Sequence, residues 1–249
     1  SKISDFERNP YQFFIKRVLG IAEERDIDID NLVSGRFFHA VMADERIVNF
    51  IAECGSKIDI DIQEDEDIAR RFKIKEIVRG VVYNSDNKDI LETLKLIELL
   101  NTYKYLLINM LQRLEIAIAI EIKYFALTKF MPTFLEKSFV LEIEDNIITC
   151  ENIETGEINK KELLQQYNIP PIRFVGVIDR VDVLDKNISI IDYKSSQTDF
   201  TLDSIELGFI SQILTYSLAC ELMFDKKSEV ILGIFYREIS KLGKDLKTY

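Results

Sequence analysis

Two aspartates and a lysine in the second half of the chain have the spacing of a metal-binding pair beside a cation. Asp179 lies in the segment Gly-Val-Ile-Asp-Arg-Val-Asp, and Asp192 and Lys194 lie in the segment Ile-Ile-Asp-Tyr-Lys. Between the two segments, Leu184 to Asn187 form a favourable turn sequence. A hairpin whose loop is centred on the two middle residues of that turn would place Asp179 directly opposite Asp192.

The predicted hairpin brings two carboxylates together on one apolar face. Directly opposed side chains in a hairpin have Cβ atoms about 4.5–5.5 Å apart. The same face is predicted to carry the aliphatic residues Val175, Val177, Val181, Val183, Ile188 and Ile190. Two carboxylates in such surroundings repel each other unless a cation lies between them, and a divalent cation with oxygen ligands is the natural candidate. Lys194, two residues past Asp192, lies on the same face and would set an ammonium group beside the metal.

The opposite face of the hairpin carries Arg180 and Asp182, which we expect to pair with each other. An interpretation without any metal is also open. In it, the aspartate and the lysine of the second segment form a surface ion pair, while Asp179 pairs with Arg180 or Arg237. Short motifs match by accident often enough that the pattern alone does not decide between the two interpretations.

Hydrophobic periodicity predicts the elements that position these residues. Helical spacing predicts one helix over Ser34 to Cys54, stopped by Gly55, and one or two long helices over Asp89 to Lys129. A helix is also predicted over residues 205–224. A period of two predicts strands over residues 139–143, 173–184, 188–195 and 230–239.

The order of these elements predicts an α/β domain whose sheet is covered by helices. At 249 residues, the chain is long enough for one large domain. We expect a single domain over residues 1–249, with a mainly helical part at 1–130 and an α/β core at 131–249 that carries the two aspartates.

The charge balance restricts the kind of partner. A net charge of −11 argues against a free-standing protein that coats nucleic acid through a basic surface. It leaves open an enzyme whose basic groups line one groove, or a domain that a larger machine carries to DNA. The most apolar stretch, Leu91 to Phe130, contains charged residues throughout, which excludes a membrane span. The chain begins Ser-Lys-Ile without Met, so we expect a piece of a longer protein, and by elimination a cytoplasmic one.

The cysteines give no sign of a metal cradle. Cys54, Cys150 and Cys220 are far apart in sequence, and no Cys-x-x-Cys pair is present. We expect isolated buried thiols in a reducing compartment.

Taken in order, the motifs resemble the RecB-family branch of PD-(D/E)XK nucleases. The two hairpin segments are followed by Gln212-x-x-x-Tyr216, and preceded by Gly35-Arg-Phe-Phe-His39, which is similar to the G-x-x-x-H motif of that branch. The opening, Ile3 to Phe14, resembles its entry segment. The Asn-Pro-Tyr form of that entry, without cysteine, is most similar to the nuclease domains of AddB-type helicase–nuclease subunits. The resemblance covers residues 3 to about 237.

The resemblance implies a fold and a set of metal ligands. The fold would be a restriction-endonuclease-like mixed sheet flanked by helices, with a largely helical N-terminal half. Asp179, Asp192 and His39 would be metal ligands, joined by the backbone carbonyl of Tyr193. The metal would be Mg²⁺, with Mn²⁺ able to substitute. A lone histidine on a helix is more often structural than a ligand, so that interpretation of His39 stays open.

The resemblance also implies catalytic roles. Lys194 would orient the attacking water and stabilise charge on the phosphate. Gln212 and Tyr216, one helical turn apart, would brace Lys194 or the scissile phosphate; the alternative is an ordinary polar edge of a packed helix. An acidic position of the family matches Glu136, and Glu142 is a second candidate for it.

The activity implied is that of a metal-dependent DNA exonuclease within a helicase–nuclease that processes double-strand breaks for recombination repair. A separate motor would feed it single strands, which suits an acidic domain. Many relatives hold an iron–sulfur cluster on four cysteines, and we expect none here because that cysteine spacing is missing. Two alternatives remain, a stand-alone exonuclease of the same fold and a degenerate domain that binds or braces DNA without cutting.

Overall fold

The N-terminal half of the protein is helical, as predicted. The computed structural model describes residues 10–14, 31–58, 64–99, 104–163, 170–194, 211–224 and 230–239. Its helices in this half are α1 (Pro10–Phe13), α2 (Asn31–Met42), α3 (Glu45–Gly55), α4 (Asp65–Arg71), α5 (Ile74–Tyr83), α6 (Lys88–Leu99) and α7 (Lys104–Thr128). The long helix α7 contacts α3, α4 and α5, and it forms the centre of a large apolar cluster.

The segment from Ser34 to Cys54 is two helices, not the single helix predicted. Helix α2 ends at Met42 and α3 begins at Glu45. Between them Asp44 is extended, with φ −68° and ψ 127°, and its side chain accepts the backbone N–H of Arg46 at 2.9 Å. An aspartate that satisfies the free N–H groups of a new helix in this way interrupts the old one, which periodicity alone does not detect. The predicted stop at Gly55 is confirmed.

The second half forms a six-stranded mixed sheet in the described part of the chain. The strands are β1 (Met131–Glu144), β2 (Ile147–Asn152), β3 (Ile158–Glu162), β4 (Ile172–Leu184), β5 (Asn187–Lys194) and β6 (Val230–Glu238), in the spatial order β3-β2-β1-β4-β5-β6. Helix α8 (Ser211–Phe224) precedes β6. Neighbouring strands are antiparallel except β5 and β6, which are parallel. The predicted restriction-endonuclease-like mixed sheet with a helical N-terminal half is thus confirmed.

Strands β2 and β3 were not predicted. The tight turn between β1 and β2 is formed by Asp145 and Asn146, whose φ angles are 50° and 63°. Both residue types tolerate this left-handed conformation, which two-residue hairpin turns favour. The Asp-Asn pair could therefore have been used to predict the β1–β2 hairpin from the sequence. Strand β3, with the sequence Ile-Asn-Lys-Lys-Glu, is mostly exposed at the sheet edge and offers no apolar alternation to detect.

Helices cover both faces of the sheet. The N-terminal helices pack on the face to which Ile191 and Tyr193 of β5 belong. Helix α8 packs on the other face with Val181 of β4 and Ile190 of β5. The hairpin of β4 and β5 therefore has one side toward each helical layer. Among the residues described, no helix has the length and apolar character needed to cross a membrane.

Strand β4 changes the side to which its residues point near Asp179. Ile178 and Val181 both lie in the cluster beneath α8, although they are three residues apart. Val175 and Val177 consequently face away from that cluster and are 64% and 39% exposed. The prediction that they share a buried face with Val181 is therefore wrong, because it assumed an unbroken alternation along the strand.

Candidate active site

The β4–β5 hairpin has the predicted register. Its ladder runs from Leu184 opposite Asn187 to Arg180 opposite Ile191. In the turn, Asp185 has φ 56°, a left-handed conformation that aspartate accepts. The described ladder stops one step before Asp179. At that point a side chain replaces the backbone as hydrogen-bond acceptor: Oδ2 of Asp179 accepts the backbone N–H of Tyr193 at 2.7 Å.

Helix α2 brings His39 to the end of this ladder. Its Nε2 lies 2.8 Å from the backbone oxygen of Tyr193, and its Nδ1 lies 3.3 Å from Oδ1 of Asp179. The Gly-x-x-x-His segment and the hairpin are far apart in sequence but meet here. The two candidate ligands and the candidate carbonyl are therefore neighbours.

Glu136 completes this group, whereas Glu142 does not. One ligand atom each of His39, Glu136 and Asp179 lie within 4.8 Å of one another. Glu142 instead forms an exposed ion pair with Arg173 at 2.8 Å. Glu136 has φ 49°, which is uncommon outside glycine and recurs at functional sites. Of the two acidic candidates, Glu136 is the one placed beside the other ligands.

Lys194, Asp192, Gln212 and Tyr216 form a second, contiguous group on the α8 side. Lys194 Nζ lies 2.5 Å from Oδ2 of Asp192. The side-chain amide of Gln212 donates to Oδ1 of Asp192 at 3.0 Å and contacts the Tyr216 hydroxyl at 2.7 Å, while its oxygen accepts from Lys194 at 3.2 Å. The Gln-x-x-x-Tyr segment thus lies against the Asp192–Lys194 pair, as a role in bracing Lys194 would require.

Two details of the structure differ from the pairings expected in the metal-free interpretation. Asp192 and Lys194 do pair, but the Asp192 side chain is only 3% exposed, so the pair is not a surface feature. Asp179 contacts His39 and Tyr193, while Arg180 and Arg237 both pair with Glu121. The expected pairing of Arg180 with Asp182 is confirmed.

Burial and close contact shift the pKa values of the titratable side chains of the site. Burial and the charge of Asp179 raise the pKa of Glu136 to about 7 and that of Asp192 to about 6. Burial alone would lower the pKa of His39, but its hydrogen bond to Asp179 and the charges of Asp179 and Glu136 raise it to about 9. Buried carboxylates that lie close together repel one another, and an imidazole beside them is easier to protonate.

A divalent cation suits this set of donors. Carboxylate and carbonyl oxygens are the ligands that Mg²⁺ and Mn²⁺ prefer, and one imidazole is compatible with Mn²⁺. The residues placed to hold the ion are His39, Glu136, Asp179 and, through its backbone oxygen, Tyr193. Asp192, the other ligand expected from the sequence, lies outside the group of three and is bound by Lys194 and Gln212.

Tyr236 lies beside the candidate site and was not identified from the sequence. It is the β6 neighbour of Asp192, and the Lys194 ammonium lies 5.1 Å from its ring centroid. Burial, and to a smaller extent the negative charge of Asp192, raise the pKa of Tyr236 to about 12. Its position depends on the register of two parallel strands joined by a long crossover, which hydrophobic patterning does not fix.

Gly176 supports the site by leaving space for an aromatic ring. It lies opposite Phe139 in the β1–β4 ladder, and a Cβ atom at this position would be 2.7 Å from Cζ of Phe139. The Phe139 ring in turn meets Tyr216 edge-on, with 6.0 Å between ring centroids. The glycine of the first motif segment is thus required by packing behind the Gln212–Tyr216 pair.

The chain belongs to the PD-(D/E)XK nuclease superfamily, which it matches over residues 1–245. Its relatives include proteins named as subunits of an ATP-dependent helicase/deoxyribonuclease. The one from Pediococcus pentosaceus is 26% identical over 222 residues, covering 87% of this chain and 16% of the relative. The one from Streptococcus suis is 23% identical over 238 residues, covering 95% and 18%. The one from Alkaliphilus oremlandii is 26% identical over 249 residues, covering 96% and 19%.

These relatives confirm the resemblance to AddB-type proteins, and they are much longer than the chain. The chain spans less than a fifth of the length of each of the three. The family match includes the opening from Ile3 to Phe14, most of which lies outside the residues that the structure describes.

Proposed function

We propose that this nuclease domain hydrolyses DNA phosphodiester bonds with Mg²⁺ or Mn²⁺. The observation that supports this best is the convergence of His39, Glu136 and Asp179 within 4.8 Å. Next to that group, Lys194 is held by Asp192 and Gln212. Membership of a nuclease superfamily and relatives named as deoxyribonuclease subunits support DNA as the substrate.

Different residues would bind the metal and take part in the reaction. Bound to the acidic group, a divalent cation would lower the pKa of a water molecule and polarise the phosphate. Lys194 would orient the attacking water and stabilise the negative charge that builds up on the phosphate oxygens. Gln212 would keep Lys194 in place, since its amide contacts Lys194, Asp192 and the Tyr216 hydroxyl.

We further propose that the domain acts within a helicase–nuclease that processes double-strand breaks for recombination repair. Relatives named as helicase/deoxyribonuclease subunits support this, as does the net charge of −11. An acidic domain attracts DNA poorly over long distances, so delivery of single strands by a motor would replace electrostatic steering.

A cleavage assay on end-labelled single-stranded DNA tests the activity. Wild-type protein should cut with Mg²⁺ or Mn²⁺ and should not cut in EDTA. Asp179→Asn should lower the rate about a hundredfold or more, because a bound cation contributes several kcal/mol of transition-state stabilisation. Asp185→Asn is the matched control, since it makes the same change in the exposed turn of the same hairpin. It should cut like wild type.

The same assay, run also on blunt duplex DNA and joined with a DNA-binding measurement, separates the two alternatives. A protein that binds DNA but cuts with neither metal would be a binding or bracing domain, and the proposed activity would be wrong. A stand-alone exonuclease would degrade blunt duplex ends without a helicase, whereas the proposed domain should need a single-stranded end.

A further inference from the structure

A cluster of four charged residues, three of them buried and one partly exposed, lies under the hairpin on the side of the N-terminal helices. Arg180 donates to both oxygens of Asp182, at 2.5 and 2.6 Å, and to Oε2 of Glu121 at 2.8 Å. Arg237 lies 3.1 Å from Oε1 of Glu121. Arg180, Asp182 and Glu121 are at most 1% exposed. Two positive and two negative groups give this buried charge cluster no net charge.

Stability is a poor reason for such a cluster. Removing charges from water costs more than their attraction often returns, and apolar replacements of buried ion pairs are frequently neutral or stabilising. Such a cluster next to a site is better explained by the groups that it holds in place.

The cluster contacts the site through Tyr193. Nη1 of Arg180 donates to the Tyr193 hydroxyl at 2.7 Å, and Tyr193 is 3% exposed. At its other end, the Tyr193 backbone N–H donates to Asp179, and its backbone oxygen lies 2.8 Å from Nε2 of His39. One residue thus joins the buried charge cluster to two candidate ligands.

These contacts lie just beyond the end of the backbone pairing between β4 and β5. The described ladder between the strands ends at Ile191. Beyond it, β4 reaches β5 through two side-chain hydrogen bonds, from Tyr193 N–H to Asp179 and from Arg180 to the Tyr193 hydroxyl. Asp192 and Lys194, on either side of Tyr193, point to the opposite face. All three residues also pair with β6, so the contacts from β4 set where this part of the sheet lies relative to Asp179.

We propose that Arg180 and Tyr193 are positioning residues for the metal site. Arg180, fixed by Glu121 and Asp182, holds the Tyr193 hydroxyl and thereby fixes the backbone that binds Asp179 and faces His39. The inference rests on the proposed function, because the positioned groups are the candidate metal ligands. It assigns to the arginine of the first motif segment an indirect effect on metal affinity.

Mn²⁺ affinity without DNA tests the proposal, measured by calorimetry and by the paramagnetic signal of free Mn²⁺. Tyr193→Phe removes the hydroxyl and leaves the ring and the backbone. It should weaken Mn²⁺ binding about tenfold or more, the usual effect of losing a partner behind a metal ligand. Tyr124→Phe is the matched control, since its hydroxyl lies 3.4 Å from Ser189 of the same strand but contacts no candidate ligand in the described structure. It should bind Mn²⁺ like wild type.

The outcomes separate the two proposals. If wild type binds Mn²⁺ and folded Tyr193→Phe binds it within about twofold, the positioning role is wrong while the metal site stands. If wild type binds no Mn²⁺, the metal site is wrong and the positioning role falls with it. Should Tyr193→Phe fail to fold, Arg180→Lys gives the answer. It keeps the positive charge but lacks the planar fork that joins Asp182 to Tyr193, so it should weaken Mn²⁺ binding similarly.

Discussion

Lys194 and Asp192 are two residues apart on β5, and their side chains are joined by an ion pair of 2.5 Å. Gln212 contacts both partners, at 3.2 Å from Lys194 and 3.0 Å from Asp192. Lys194 is therefore a charge partner of a candidate metal ligand. A cation bound at Asp192 would compete with this pair and free the ammonium group for the substrate.

Removal of the Lys194 side chain should separate chemistry from metal binding. We expect Lys194→Ala to lower the cleavage rate about a hundredfold or more, because a charge that stabilises the transition state is lost. Mn²⁺ affinity should be unchanged or higher, since the ion no longer competes with the ammonium. Lys161→Ala, which breaks an exposed ion pair with Glu221, is the control and should alter neither property. Cleavage by Lys194→Ala within a few-fold of wild type would mean that the lysine has no part in the reaction.

Glu136 and Glu142 should respond differently to the same substitution. Glu136→Gln removes a carboxylate from the group that includes His39 and Asp179. We expect Mn²⁺ affinity to fall about tenfold or more, a loss that calorimetric titration would detect. Glu142→Gln changes only an exposed pair with Arg173 and should bind Mn²⁺ normally. Equal affinities in the two variants would remove Glu136 from the metal site.

The same Glu136→Gln variant should be more stable than wild type when no metal is present, and increasingly so at higher pH. The pKa of Glu136 is raised from 4.5 to about 7 by burial and by Asp179. A group whose pKa is raised by folding contributes stability that is fully present below its unfolded pKa and is lost as the pH rises through the folded value. Wild type therefore loses this contribution between about pH 4.5 and 7, whereas the glutamine variant does not.

Urea unfolding in EDTA at several pH values measures this difference directly. The free energy of unfolding of Glu136→Gln, relative to wild type, should increase between pH 4.5 and pH 8. A pH-independent difference would show that Glu136 titrates at its ordinary pKa, and that the acidic ligands do not repel one another as the structure indicates.

The buried charge cluster should be sensitive to the loss of one partner. Arg180→Met leaves Asp182 and Glu121 buried with one arginine between them, and it should lower the free energy of unfolding by about 3–5 kcal/mol. Arg173→Met breaks a pair that is 63% and 51% exposed and should cost at most about 1 kcal/mol. Urea unfolding of both variants in EDTA compares the two, and similar losses would mean that the cluster is not held together as tightly as its distances suggest.

Local patterns in the sequence predicted the hairpin that carries the site. Turn residues and alternation were enough to set the register from Leu184 to Arg180, because antiparallel pairing across a short turn is a local property. The reversal of alternation at Asp179 was not predictable, since it accompanies an irregular stretch of β1 that includes Glu136 at φ 49°. For the same reason, the sequence left open which glutamate joins the site.

Contacts over long sequence separations were the other part that patterns missed. Glu121 and Arg180 are 59 residues apart, and each has an ordinary place in its own element. Nothing local marks the glutamate of an apolar helix as the partner of a buried arginine. The single histidine was different, because its spacing from Gly35 matched a family motif, and it does lie beside Asp179.

The close approach of Phe139 to Gly176 implies that a position without a side chain should tolerate few mutations. A methyl group there would displace the ring that supports Tyr216, and through it the amide that contacts Lys194. In a mutational scan selected for DNA cleavage, we expect position 176 to be nearly as restricted as the candidate metal ligands. Gly80 has no atom within 4 Å of the place a Cβ would occupy and should accept alanine freely. Natural variants of this domain should therefore retain glycine at 176 even where every neighbouring surface residue has changed.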